Sequence, residues 1–156
     1  MKGMNELESR AKSFADELSV QYEWVQHKGD ASTTLDAAKL LLESPENIIK
    51  CLILEDVRTN HSVGVIVRGD ARLDMKLVRK CTGANKLRFA SPDYIRDLLG
   101  FDIGGIPPFS IVKCHQRLFC KNLLSQTYVI GAGGHSFCGM KFAPTEILKI
   151  PEIQAI

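Results

Sequence analysis

The chain has 156 residues, which suits one domain with one sizeable core. Its hydrophobic content of 45% and charged content of 24% are those of a globular protein, and no apolar stretch approaches the ~20 residues of a bilayer-spanning helix. A net charge of +2 excludes a strongly basic, duplex-wrapping protein but permits a local basic patch, and charges near the N-terminus stand where a signal peptide needs an apolar run, so a cytoplasmic location is expected.

In chain order, Met4, Leu7, Ala11, Phe14 and Leu18 recur at three- and four-residue spacing and predict an amphipathic helix over 4–18. Residues 20–28 read as a strand, with Gly29-Asp30 turning away. A second helix follows, capped by Thr33 or Thr34, because a hydroxyl there accepts from an orphan N–H. Leu35, Ala38, Leu41 and Leu42 are its expected buried side, and Ser44-Pro45 ends it. Residues 48–54 are short, branched and apolar, which predicts a buried strand with residues 62–70 as its hairpin partner. A helix over 73–81 and a short strand over 86–89 come next. Ser91 caps a helix over 92–99, with Pro92 at the tolerated first position. Residues 100–109 are loop chemistry. Strands are expected near 110–113, 117–119 and 126–130, then a glycine-rich loop at 131–136, a strand near 137–142 and a short helix after Pro144. Strands and helices mix without strict alternation, which predicts an α+β fold rather than a doubly wound sheet. No linker or repeat divides residues 1–156.

The five cysteines, Cys51, Cys81, Cys114, Cys120 and Cys138, form no Cys-x-x-Cys pair. Their odd count and scatter argue against a disulfide framework and against a structural zinc site. Cys114 and His115 are adjacent, but neighbours on a strand point to opposite faces. No metal and no cofactor is therefore expected. Gly-x-Ser-x-Gly and His-Glu-x-x-His are missing too, so an enzyme built on this sequence uses water or a group of its own substrate. A thiol route through Cys51 or Cys138 is a weaker alternative.

Three features carry chemistry. Lys50 interrupts an apolar run, and a buried ammonium without partners is costly. It reads either as a strand-start lysine with its head in water or as a cation in a cleft holding a phosphate or carbonyl oxygen. Gly104-Gly105-Ile106-Pro107-Pro108-Phe109 reads either as a tight turn or as a rigid loop whose N–H groups clamp an oxygen. Gly131-Ala132-Gly133-Gly134-His135 lacks the spacing of a dinucleotide site or a P-loop and reads as a hairpin turn. His135 is a candidate for proton transfer, or a solvated loop histidine.

Together these features resemble the YbaK family, which includes the inserted editing domain of bacterial prolyl-tRNA synthetases. The resemblance runs from about His27 to Ile150. Thr34-Leu35-Asp36-Ala37-Ala38 resembles the helix opening that follows a histidine-containing strand. Ile49-Lys50-Cys51-Leu52-Ile53 resembles the lysine-bearing strand, and Arg68-Gly69-Asp70-Ala71-Arg72-Leu73-Asp74 the Gly-Asp-x-Arg-Leu-Asp link. Gly104 to Phe109 resembles the Gly-Gly-Val/Ile-Ser/Pro-Pro loop, and Ala132-Gly133-Gly134 the late glycine loop. Each is weak alone; five in order are specific.

The resemblance implies a mixed, barrel-like sheet flanked by helices. It implies hydrolysis of the ester on mischarged tRNA, with tRNA for proline carrying alanine or cysteine as the expected substrate. Lys50 takes the place of the essential catalytic lysine, which anchors the terminal nucleotide. The implied substrate site comprises His27, Thr34, Lys50, Gly104, Gly105, Ile106, Pro107, Pro108, Ala132, Gly133, Gly134 and His135. The implied partners are the acceptor end of mischarged tRNA and a tRNA synthetase; no membrane partner is expected. No synthetase module accompanies the motifs, so action in trans is expected. Two residues depart from the pattern: Cys51 stands where threonine is common, and Ser136-Phe137-Cys138-Gly139 holds no acidic residue. Arg68, Arg72, Lys76, Arg79 and Lys80 are candidate tRNA contacts or a solvated face. The alternative function is a non-catalytic module that binds a tRNA end or a synthetase.

Overall fold

The computed structural model describes residues 3–156. Helix α1 spans Met4–Glu17, α2 Thr34–Leu41, α3 Met75–Thr82 and α4 Pro92–Leu99. Strands are β1 Glu23–Gln26, β2 Ile49–Asp56, β3 Ser62–Arg68, β4 Leu87–Phe89, β5 Gln116–Phe119, β6 Val129–Ala132, β7 Cys138–Phe142 and β8 Gln154–Ala155. The fold is α+β. Five strands form one sheet in the order β4-β2-β3-β5-β8, and three form a second in the order β1-β7-β6. The sheets do not close into a barrel. A single parallel bridge between Ile48 and Ile130 joins them, so the start of β2 lies beside β6.

Strand alternation distributes β2 between two environments. Ile49, Cys51 and Ile53 point into the main core, where Ile66, Phe101, Phe109, Phe119 and Met140 are buried. Leu52 and Leu54 point the other way, with Val63, Val65 and Val67 of β3, into a second cluster closed by Val78 of α3 and Leu118 of β5. Ala37 and Ala38 of α2 pack on Ile48 and Ile130 and cover the seam between the sheets.

Helix starts follow capping chemistry. The Thr33 hydroxyl accepts from Asp36 N at 3.1 Å, Asp74 accepts from Leu77 N at 3.1 Å, and Ser91 accepts from Tyr94 N at 3.1 Å. The buried side of α2 differs from expectation. Ala37 and Ala38 are buried, whereas Leu35 is 64% exposed and Leu42 is 93% exposed. Leu42 is the left-handed C-cap, at φ 55°, and so leaves the helical face.

Residues 110–113 are not a strand. Pro108–Lys113 forms a 3₁₀ turn, because Pro107 and Pro108 fix φ and remove two ladder donors, and Ser110 N and Oγ both donate to the Pro107 carbonyl. The strand expected from 126 begins at Val129, after a 3₁₀ turn over Lys121–Ser125, and the last helix is a 3₁₀ turn over Pro144–Lys149. Strand β8, paired in parallel with β5, is too short to leave a sequence pattern.

Candidate functional site

A cavity of about 470 Å³ opens where the two sheets meet. The start of β2 forms one wall. Ile48, Lys50 and Leu52 reach it from one face of the strand and Ile49 and Cys51 from the other. The first turn of α2 supplies Thr33, Thr34 and Leu35, and the segment after β1 supplies His27, Ala31 and Ser32. The loop after α4 contributes Ile103, Gly104, Ile106 and Pro108, while β6, β7 and their connection contribute Gly131, Ala132, His135 and Cys138.

Of the residues expected in the substrate site, His27, Thr34, Lys50, Gly104, Ile106, Pro108, Ala132 and His135 line this cavity. Gly105, Pro107, Gly133 and Gly134 are buried behind its wall. Gly105 is where the two glycine loops meet. A Cβ there would stand 2.8 Å from the Gly134 carbonyl oxygen and 2.8 Å from His135 Cα. Gly134 in turn sits at φ 108°, with room for no Cβ against the Leu7 carbonyl oxygen of α1.

Lys50 is half-buried and has no hydrogen bond or ion pair among the described residues. Thr34 does not cap α2; its hydroxyl donates to the Gly69 carbonyl at 3.1 Å and ties the helix to the end of β3. The Arg68 side chain donates to Asp70 at 2.9 and 2.7 Å and holds that carboxyl below its usual range. Arg68 is thereby committed to its own loop. Arg72, Lys76, Arg79 and Lys80 are exposed, without ion pairs among the described residues.

His135 is not a solvated loop histidine. Its side chain is 11% exposed and its Nε2 lies 3.2 Å from Glu8 Oε2. Its Nδ1 accepts the Phe137 N–H at 3.1 Å, so the hydrogen of the neutral ring is on Nε2 and points at the Glu8 carboxylate. Cys138 Sγ lies 3.4 Å from the same Nε2. The three ligand atoms of Glu8, His135 and Cys138 fall within 4.8 Å of one another, a spacing that suits a metal ion. The tautomer does not suit one, because Nε2 carries hydrogen and the lone pair on Nδ1 is taken. It does not suit a thiol–imidazole–carboxylate relay either, because thiol and carboxylate compete for one nitrogen. Burial, reinforced by Glu8, pushes the Cys138 thiol up to about 12, and burial pushes the Cys51 thiol up as well, so neither supplies a ready thiolate. Sequence reading missed Glu8, the carboxylate 3.2 Å from His135, because it comes from α1, more than a hundred positions away.

A cation and two imidazoles on a mainly apolar, small-residue cavity define a pocket for a polar ligand with a compact side group. The family is shown by comparison with known proteins. Residues 28–137 match the aminoacyl-tRNA editing domain, and the chain belongs to that family. Solved structures share the fold. A candidate trans-editing enzyme for prolyl tRNA synthetase superposes with a TM-score of 0.84 at 24% identity, covering 99% of this chain and 97% of that one. The hypothetical protein APE2540 superposes with a TM-score of 0.82 at 25% identity, covering 94% and 97%. No helix among the described residues is long and apolar enough to cross a membrane.

Proposed function

We infer that this chain is a trans-acting aminoacyl-tRNA deacylase of the cytoplasm. It hydrolyses the ester joining a wrong amino acid to the terminal ribose of tRNA, with alanine or cysteine on tRNA for proline as the expected substrates. The observation that carries this reading is Lys50, an ammonium without an ion-pair partner on the wall of a mainly apolar cavity. A substrate phosphate or carbonyl oxygen supplies the missing partner. The reading is further supported by the family match over residues 28–137 and by likeness to a candidate trans-editing enzyme.

In this reading Lys50 holds the tRNA end and does not attack the ester. Gly104, Ile106, Pro108 and Cys51 bound the amino-acid side, and His27, Thr34, Ala132 and His135 the remainder. An aminoacyl ester is already activated, so stabilising its oxyanion supplies much of what hydrolysis needs; one such donor is worth about 3–4 kcal/mol. The exposed cations Arg72, Lys76, Arg79 and Lys80 are the proposed phosphate contacts.

The test is a deacylation panel in which the purified chain meets tRNAs charged with alanine, cysteine, serine and proline. Release of alanine or cysteine above buffer is expected. Lys50→Ala should lose roughly 100-fold or more in kcat/KM while melting like the parent. Release no faster than buffer for every pair sinks the enzyme reading and favours a binding module; full activity in Lys50→Ala removes Lys50 from the site.

A further inference from the structure

We propose that His27 is the general base that activates water in this cavity, an assignment resting on the deacylase reading above. Two imidazoles line the cavity, and their hydrogen bonds give them opposite tautomers. His27 Nδ1 lies 2.8 Å from the Gly29 carbonyl oxygen. A carbonyl oxygen only accepts, so Nδ1 carries the hydrogen and the Nε2 lone pair is open. Nothing among the described residues hydrogen bonds to that nitrogen. His135 is the reverse: its Nδ1 is occupied by the Phe137 N–H, and its Nε2–H faces Glu8. Of the two, only His27 presents a vacant acceptor.

The ring stands on a braced segment. His27 N donates to the Phe137 carbonyl at 3.2 Å and Ala31 N to the Ser136 carbonyl at 2.8 Å, so residues 27–31 are pinned alongside the late glycine loop. The other titratable groups on the cavity wall are Lys50 of β2, Cys51 of β2, Cys138 of β7 and His135. Lys28 and Asp30, beside His27 in its own segment, are exposed.

The step is balanced without a co-reactant. Water adds to the ester carbon while its proton passes to His27 Nε2, and the carbonyl electron pair moves to oxygen. The tetrahedral intermediate then collapses, the bond to the ribose oxygen breaks, and the imidazolium Nε2–H protonates that oxygen. The products are the free amino acid and tRNA with its terminal hydroxyl restored, and His27 returns to its starting tautomer.

The experiment follows kcat and KM from about pH 5 to 9 for the mischarged tRNA that the parent clears fastest. The parent, His27→Gln, His27→Ala and His135→Gln are compared, with melting temperatures to verify folding. In the parent, kcat should rise with pH and then level off. His27→Gln should lower kcat roughly 100-fold or more, leave KM little changed and abolish that rise. His135→Gln should keep the rise, and added imidazole should restore part of the turnover of His27→Ala. If His27→Gln keeps the parent's kcat and pH profile, the deacylase reading stands, His27 is not the base, and the proton passes to a group of the substrate. If kcat falls but the pH rise persists and imidazole does not rescue, His27 is structural and the proposal is overturned. If the parent deacylates nothing, both readings fail together.

Discussion

Gly105→Ala tests the junction of the two glycine loops with a single methyl group. Gly105 does not line the cavity, so the methyl cannot block a ligand directly. It would stand 2.8 Å from both the Gly134 carbonyl oxygen and His135 Cα. Both are backbone atoms of one loop, with no flexible side chain to swing aside, so the loops must separate by several tenths of an ångström. Overpacking of this kind costs about 1–3 kcal/mol. At about 2–4 °C per kcal/mol for a chain of this size, Tm should fall by roughly 2–12 °C. The separation also moves His135 and Gly104, both on the cavity wall, so kcat/KM should fall roughly tenfold or more, as small misplacements in active sites do. Thermal unfolding followed by circular dichroism and the deacylation panel read the two effects. A Tm within about 1 °C of the parent together with unchanged turnover would refute the docking of the loops, since no overpacked contact is that mild.

Two further outcomes follow from the surface cations and from α1. Lys76→Glu and Lys80→Glu, each measured against mischarged tRNA at several salt concentrations, should raise KM at low salt and flatten the salt dependence, by a slope of about 1 for each phosphate contact removed; unchanged slopes would return α3 to the role of a solvated face. Glu8→Ala removes the acceptor of a mostly buried imidazole N–H, at a cost of about 1–3 kcal/mol. The Glu8 charge raises the Cys138 pKa, so its loss should lower that pKa and leave more thiolate at mildly alkaline pH. Alkylation of Cys138 should then be faster in Glu8→Ala than in the parent when followed by mass spectrometry, and an unchanged rate would count against that coupling.

Periodicity and capping located most elements because they are local. The hairpin of β2 and β3 and the helix from Pro92 to Leu99 lie where alternation and cap residues put them. The misreadings have a different source. Ile111 and Val112 look like strand residues, but the prolines before them had already fixed a 3₁₀ turn. Leu35 and Leu42 look like core residues, but at the two ends of a short helix they fall outside its covered face. The ordered motifs gathered the cavity residues from five separate segments, since spacing between motifs survives when no single one is distinctive. What they did not separate is lining from support. Gly105 and Gly134 carry the same letters as Gly104, yet they serve backbone contact behind the wall. The opposite tautomers of His27 and His135 depend on a carbonyl and an N–H that no sequence pattern specifies.

Helix α1 lies outside the residues 28–137 that match the family, yet it fastens both glycine loops. Leu7 meets Gly134 through its carbonyl, Glu8 pairs with His135, and Arg10 donates to the Leu99 and Gly100 carbonyls at 2.8 and 3.0 Å where the first loop begins. The Arg10 guanidinium also lies 4.7 Å from the centre of the Phe101 ring. Contacts from about one turn of this helix, Leu7 to Arg10, thus reach both glycine loops. An editing pocket that distinguishes amino acids by one methylene has only about 1–3 kcal/mol to work with, and walls that yield lose it. On the deacylase reading, a helix that looks in sequence like a plain amphipathic segment braces the walls on which that discrimination would depend. Residues 28–137 supply most of the cavity surface, His27 and Cys138 add to it from just outside that span, and α1 packs behind it.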